Sequence, residues 1–292
     1  MSTAKRDARV LKAQRQKFFD SVWSHVLVIV LLVIWLIPIA WVIANSFREQ
    51  PGLLSPTFFP NKWTLNNFKE LFKVTGSRKY GKWVWNTLQI ALLNMLFSTF
   101  FTLITAYSLS RFRFKMRKPL MNISLILGMF PGFMAMVAIY LILNLMGLIG
   151  NKWALLLVYS AGSGLGFFVA KGYFDSMPAE IDEAAKLDGA SQFRVFFQIF
   201  LPMAKPIMIY TALMAFMAPW SDYILAGLIL RNPNEMTVAV GLYNMTADTS
   251  AMLNNFTTFA AGSILIAIPI VVLYISLQRF MIEGISSGAV KG

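Results

Sequence analysis

Long apolar runs recur along this chain, separated by short polar or basic segments. A bilayer core takes roughly 20 helical residues to cross, and six stretches meet that length: 25–44, 83–109, 119–146, 153–170, 207–230 and 256–278. The first four hold no Asp, Glu, Lys or Arg, and the fifth holds only Asp222. The pattern predicts an all-α, polytopic membrane protein with six transmembrane helices. Trp23, Trp63, Trp83 and Trp153 stand at the edges of these runs, where interfacial aromatic belts form. Pro38, Pro131, Pro219 and Pro269 mark places where a span can kink. Gly162, Gly164 and Gly166 lack the Lys-Ser/Thr of a phosphate loop and predict close helix packing in span four. Between spans one and two, a short helix is expected at 65–72, capped by Thr64 or Asn66.

Composition agrees with that solvent. Of 292 residues, 57% are hydrophobic and 13% charged, against roughly 25% charged in soluble domains. No cysteine is present, which excludes disulfides and thiolate metal sites. A net charge of +13 could suggest nucleic acid, but the basic residues sit on loops beside the apolar runs, so membrane topology explains them and no nucleic-acid partner is expected. Lys5, Arg6, Arg9, Lys12, Arg15 and Lys17 precede an apolar run too long for a signal peptide, which reads as a retained first span. The short basic loop Arg111, Arg113, Lys115, Arg117 and Lys118 places both termini on the inner side. The seven lysines and arginines of the first outer loop, 45–82, run against that rule, which long loops obey less strictly.

One segment, 176–202, is polar within this apolar chain: SMPAEIDEAAKLDGASQFRVFFQIFLP. Ser176 is suited to cap a helix whose first turn carries Pro178, Glu180 and Asp182, acids that complement a helix N-terminus. Ile181, Ala184, Ala185 and Asp188 share a face at helical spacing. Gly189 suits a C-terminal turn with positive φ, Ser191 a second cap, and Pro202 a stop for the helix 192–200. A helix-turn-helix at the membrane surface follows, with an ordinary surface loop as the plainer reading.

The spacing Glu183-Ala184-Ala185, Gly189, then Ile199 and Leu201-Pro202 resembles the EAA loop of the membrane permeases of binding-protein-dependent ABC importers. The resemblance to the maltose-type carbohydrate permease extends from Asn45-Ser46-Phe47-Arg48 to the end. It runs through Trp85-Asn86-Thr87, Ser110-Arg111-Phe112-Arg113-Phe114, Met129-Phe130-Pro131, Lys171-Gly172-Tyr173-Phe174, Leu230-Arg231-Asn232 and Thr237-Val238-Ala239-Val240-Gly241. The tail from Ser287 to Gly292 is similar to the family's Gly-Gly-Val-Lys-Gly ending, with Ala289 off pattern.

This resemblance implies a type I ABC importer permease fold in a bacterial cell membrane. It divides the chain into a basic cytoplasmic segment 1–24, a six-span domain 25–284 and a cytoplasmic tail 285–292. The implied partners are a second permease, two copies of a cytoplasmic ATPase subunit, an extracellular sugar-binding protein and membrane lipid. Glu183, Ala184, Ala185, Asp188, Gly189, Ile199, Leu201 and Pro202 are the implied ATPase-coupling residues, and Gly288, Lys291 and Gly292 the tail that reaches the same partner. For that tail a frayed terminus is the other reading. An oligosaccharide such as a maltodextrin or galactan oligomer is the implied cargo, with a monosaccharide or a glycerol phosphodiester as alternatives.

An intramembrane enzyme needs grouped polar residues inside the spans. The chain offers one histidine, His25, at the edge of span one, and one carboxylate within a span, Asp222. No catalytic residue, metal set or cofactor is therefore expected, and no G-x-x-x-x-G-K-[ST] motif for ATP occurs. A stand-alone secondary transporter would show coupling-ion residues and repeated halves; neither is visible. Asp222 lies between Trp220 and Tyr223, just after Pro219. Two readings stand. It is a structural hydrogen bond between spans, or, with Trp220 and Tyr223, it lines the substrate path, where freed carbonyls and flat aromatic faces suit sugar rings.

Overall fold

The structure, a computed structural model, describes residues 3–50, 57–76, 78–163 and 166–289, the side chains before 19 and after 280 excepted. The described residues are helical, with only two isolated β-bridges, Arg48 to Trp63 and Thr75 to Arg78.

Helix α1 (Thr3–Ser46) is apolar and exposed along most of its described length, as a helix solvated by lipid must be. It meets the rest of the chain near its end, where Trp41 packs on Phe256 at 5.3 Å. The first outer segment is then folded back by Arg48, 2% exposed, whose guanidinium donates to Asn45 Oδ1 and to the carbonyls of Thr57 and Phe58. Short α2 (Asn66–Phe72) follows; neither Thr64 nor Asn66 caps it, since the cap position falls on Leu65 and Thr64 Oγ1 accepts from the Asn66 amide just outside it.

The spine is α3 (Tyr80–Arg111), an unbroken helix packed against α6 (Trp153–Gly162), α7 (Phe168–Asp175), α11 (Lys205–Ser221) and α13 (Val238–Asn244). Two apolar cores flank it. One gathers Trp83, Leu143, Leu155, Trp220 and Ile229 at its first end; the other gathers Tyr107, Phe167, Phe174, Phe196 and Phe200 at its last. Finally α14 (Thr249–Ala289) closes the bundle against α1, α2 and α11.

Among the described residues, the six expected stretches are not all unbroken helices, and Pro131 kinks the third as expected. Three helices among the described residues are long and apolar enough to cross alone, or up to five if each bent pair counts as one. The expected third span divides into α4 (Arg117–Met129) and α5 (Gly132–Leu145), 103° apart, because Pro131 has no N–H and forces Phe130 to an extended ψ of 136. The expected fourth span is also interrupted: α6 stops at Gly162 and α7 starts at Phe168. Gly162 and Gly166 meet nothing closer than 3.5 Å where a Cβ would stand, so they mark this break rather than a tight packing contact; Gly164 lies outside the described residues. The fifth stretch breaks after Ser221 and resumes as α12 (Ile224–Ile229). By contrast, Pro38 and Pro269 sit inside continuous helices.

Trp83 also departs from the belt position expected of it. Its ring is 2% exposed and its Nε1 donates to Pro233 O at 2.9 Å, so it belongs to a packed core.

Candidate functional site

The polar segment folds into a helical hairpin on the last turns of α3. Its first arm is α8 (Glu180–Leu187), with Glu180, Asp182 and Glu183 in the first turn and Lys186 in the last, each matched to the helix dipole. The arm ends in a Schellman turn: Ala190 N donates to Ala185 O and Gly189 N to Lys186 O, both 3.0 Å, with Gly189 at φ +73. Ser191 then caps the second arm, its Oγ accepting from Arg194 N at 3.3 Å. That arm runs as α9 (Gln192–Arg194), a π-helical stretch (Val195–Phe200) and α10 (Leu201–Met203).

Two capping expectations change. Ser176 does not cap α8; its Oγ donates back to Tyr173 O and closes α7 instead. Pro202 does not end the second arm. The wide i→i+5 turns before it accommodate its ring, and the stop falls at Ala204, where Pro206 has no N–H to extend the ladder. Beyond Ala204 the chain turns 83° into α11.

The inward face of α8 is Ile181, Asp182 and Ala185, whereas Ala184 and Asp188 turn outward with Glu183 and Leu187. The expected Ile181-Ala184-Ala185-Asp188 face is thus rotated, because Asp182 is drawn inward by Arg111. Its Oδ2 lies 3.0 Å from the guanidinium, with both side chains almost wholly buried. Arg111 also donates to Phe174 O at 2.6 Å and Met177 O at 2.9 Å, and lies 4.7 Å over the Phe200 ring. Beside it Ser110 and Lys171 donate to the Asp175 carboxylate at 2.6 and 2.5 Å. Burial alone would raise the Asp175 carboxyl; these hydrogen bonds and the charges of Lys171 and Arg117 outweigh it and hold the group below its ordinary value.

Glu183, Ala184, Leu187, Asp188 and Gly189 therefore form an outward face with apolar and acidic character, and Leu187 (89% exposed) and Phe193 (69%) leave large apolar groups on it. Ala185 is buried under it, and Ile199 and Leu201 are half-buried on the second arm, next to exposed Pro202.

Toward the other end of α3 lies the break around Asp222. Its backbone leaves α11 at ψ 108; Oδ1 accepts from Leu225 N at 3.0 Å and caps α12, and Oδ2 accepts from Tyr159 of α6 at 2.6 Å. The carboxylate thus bridges two broken elements. Trp220 is 2% exposed and packs on Phe216, so it faces the core rather than open space. Tyr223 is exposed and stacks on Tyr243 at 4.9 Å, over a cavity of about 450 Å³ that also reaches Arg231 and Asn244. The carbonyl freed by Pro219, Ala215 O, does not open to a cavity: Asn94 of α3 donates to it at 2.7 Å.

Two charged residues escaped the reading of the sequence. Arg111 is visible only as one basic residue among several. Lys152 is buried with its Nζ 2.8 Å from both Asn86 Oδ1 and Gln89 Oε1. In the tail, Gly288 stands in α14, while Lys291 and Gly292 lie outside the described residues. No group of His, Cys, Asp and Glu able to hold a metal occurs among the described residues.

Similarity of sequence gives the family of this helical membrane protein. The chain belongs to the binding-protein-dependent transport system inner membrane components, whose family model matches residues 98–286. It is 38% identical to the galactooligosaccharides transport system permease protein GanQ of Bacillus subtilis (strain 168), over 95% of this chain and 98% of that one. It is 36% identical to the maltodextrin transport system permease protein MdxG of the same organism, over 97% of this chain and 100% of that one. The fold is shared with a chain of a bacterial ABC transporter involved in import of the acidic polysaccharide alginate, at a TM-score of 0.74 and 20% identity, covering 96% and 98% of the two chains.

Proposed function

We propose that this chain is one of two permease subunits of an ATP-driven oligosaccharide importer. The family assignment supports a transport role, and the relatives named for galactooligosaccharides and maltodextrin favour a short glycan as cargo. The observation that carries the mechanism is the hairpin 176–202. Its inner face is bolted to α3, while Glu183, Ala184, Leu187, Asp188 and Phe193 have no cover among the described residues. Such a rigid, amphipathic knob at a membrane surface fits a cleft in a soluble partner, here the ATPase.

On this reading the chain makes six crossings with both termini cytoplasmic, counting the broken elements as spans. A second permease completes the pore, two ATPase copies power it, and an extracellular binding protein delivers the sugar. Tyr223 is the residue of the expected path that stands open to a ligand, and Asp222 fixes the break that presents it. Chemistry is confined to the partner ATPase.

Affinity purification of the tagged chain, expressed with its neighbouring genes, tests this. An ATPase and a second permease are expected in the eluate, and proteoliposomes of the complex should take up maltotriose or galactotriose in preference to glucose or a glycerol phosphodiester. Recovery of the chain alone would overturn the reading, and uptake of the diester alone would overturn its cargo. A cysteine at Ser191 should stay unlabelled by an impermeant maleimide added outside intact cells; labelling there would overturn the topology.

A further inference from the structure

We propose that Arg111 is the positioning residue that couples the hairpin to α3, so that displacement of the hairpin by the ATPase moves α3 as a rod and reaches the loop at its far end. The proposal rests on the reading of the hairpin as the ATPase-docking element.

One side chain gathers every piece of the hairpin. The Arg111 guanidinium holds the end of α7 through the carbonyls of Phe174 and Met177, the first arm through Asp182, and the second arm through the Phe200 ring. Among the described residues, no other side-chain hydrogen bond or ion pair ties α8 to the rest of the molecule. A planar guanidinium fork in a fixed position is directional, where an apolar contact is free to slide. Buried ion pairs of this type are seldom kept for stability alone, since well-packed apolar residues serve as well. The Nε of Arg111 is buried without a partner, so the fork is not saturated in this conformation.

Tyr107 of α3 also meets the second arm, its ring 4.8 Å from Phe196 and 5.3 Å from Phe200 and its hydroxyl donating to Gln192 Oε1 at 3.5 Å, but it makes no hydrogen bond to α8. The covalent route is poorly suited to carry a push. It passes through the π-helical stretch and then the 83° turn at Ala204. Such irregular helix absorbs displacement locally.

By contrast, α3 runs without a break for 32 residues, about 48 Å at 1.5 Å per residue. At its far end it is tied again, to the segment 233–238. Trp83 Nε1 donates to Pro233 O, Asn86 Nδ2 to Asn234 O and Met236 O, and Thr87 Oγ1 accepts from Val238 N at 2.8 Å. That segment adjoins the cavity under Tyr223 and Tyr243 through Met236. A rod pinned by a charged fork at one end and by amides at the other links the two surfaces of the protein.

The test uses the whole complex in proteoliposomes, with maltotriose and galactotriose as probes. Asp182→Asn keeps the shape and removes the charge; Arg111→Lys keeps the charge and removes the fork. Both variants should assemble with the ATPase at a yield within twofold of wild type. Stimulation of ATP hydrolysis by the loaded binding protein, and sugar taken up per ATP hydrolysed, should each fall at least fivefold. Wild-type values of both ratios in both variants would overturn the proposal. So would a loss confined to complex yield, with uptake per ATP unchanged in the complexes that remain, since that is what a merely structural clamp predicts. A wild-type chain that recovered no ATPase would overturn the docking reading itself, and the proposal with it.

Discussion

Replacing Asp222 separates its structural work from any role in the substrate path. Its carboxylate accepts from the Tyr159 hydroxyl at 2.6 Å and from the Leu225 amide at 3.0 Å. A hydrogen bond to a charged group contributes about 1.5–3 kcal/mol, and a lost helix cap costs about 1 kcal/mol. Asp222→Leu should therefore destabilise the protein by about 2.5–4 kcal/mol, and at about 2–4 °C per kcal/mol for a chain of this size the melting temperature should fall by about 5–15 °C. Asp222→Asn keeps one acceptor and the side-chain shape, so about 1 kcal/mol is expected. Tyr159→Phe should cost about 1.5–3 kcal/mol, and with Asp222→Leu the two losses should overlap rather than add, because each removes the same bond. Thermal unfolding of the detergent-solubilised complex, followed by tryptophan fluorescence, reads all four variants. Additive shifts from Tyr159→Phe and Asp222→Leu would refute the bridge. Sugar selectivity measured on the stable Asp222→Asn variant then reports the path alone, since that variant leaves the break in place.

Three further substitutions test local geometry. Gly189→Val should cost roughly 1–2 kcal/mol, since φ +73 is left-handed, and should weaken recovery of the ATPase, while Ala190→Ser leaves it intact; equal recovery would remove the Schellman turn from the docking argument. Gly241→Ala should cost about 1–3 kcal/mol by overpacking, because its Cβ would stand 2.2 Å from the ring of Trp83, which is tethered to Pro233; an unchanged melting temperature would refute that contact. Asn94→Leu should lower the melting temperature by a few degrees through the orphaned Ala215 carbonyl, and Pro219→Ala in the same chain should restore more than half by supplying the missing N–H; no rescue would refute the pairing.

The hairpin was legible because its signals are local. Acids in a first turn, a glycine four residues after an Ala-Ala pair and a serine cap each act within one or two turns, and Gly189 and Ser191 do as their positions require. The rotation of α8 was not legible. Asp182 reads as a dipole-matching acid until Arg111, distant in sequence, meets it and turns the helix. Hydropathy gave the places of the apolar stretches, but it measures composition and not path. It passes over the gap after Gly162 without a change in signal, whereas Pro131 marked its own bend through its missing N–H. Trp83 looked like an interfacial residue, and Lys152 drew no notice, because their partners, Pro233 and the pair Asn86 and Gln89, come from other elements.

Some of the interrupted elements share a set of partners, and it lies on the one central helix that does not break. Within a bilayer a freed backbone group has no water to turn to, so a neighbouring side chain must meet it. Thr87, Asn94, Ser98 and Thr102 are all buried on α3, at intervals of seven, four and four residues that hold to one face. Each meets a backbone group of another element: Thr87 the Val238 amide that opens α13, Asn94 the carbonyl freed by Pro219, Ser98 the Tyr159 carbonyl at 3.4 Å, and Thr102 the Ser163 carbonyl at 3.2 Å where α6 ends. Each interruption satisfied in this way stands where α3 presents a hydroxyl or an amide. The polar stripe meets the end of α6, the start of α13 and the carbonyl freed by Pro219, while the bends at Pro131 and Ala204 lie away from it. It also requires α3 to stay straight, because a kink would swing the four side chains off a single line. The same continuity is what the coupling proposed for Arg111 requires of α3.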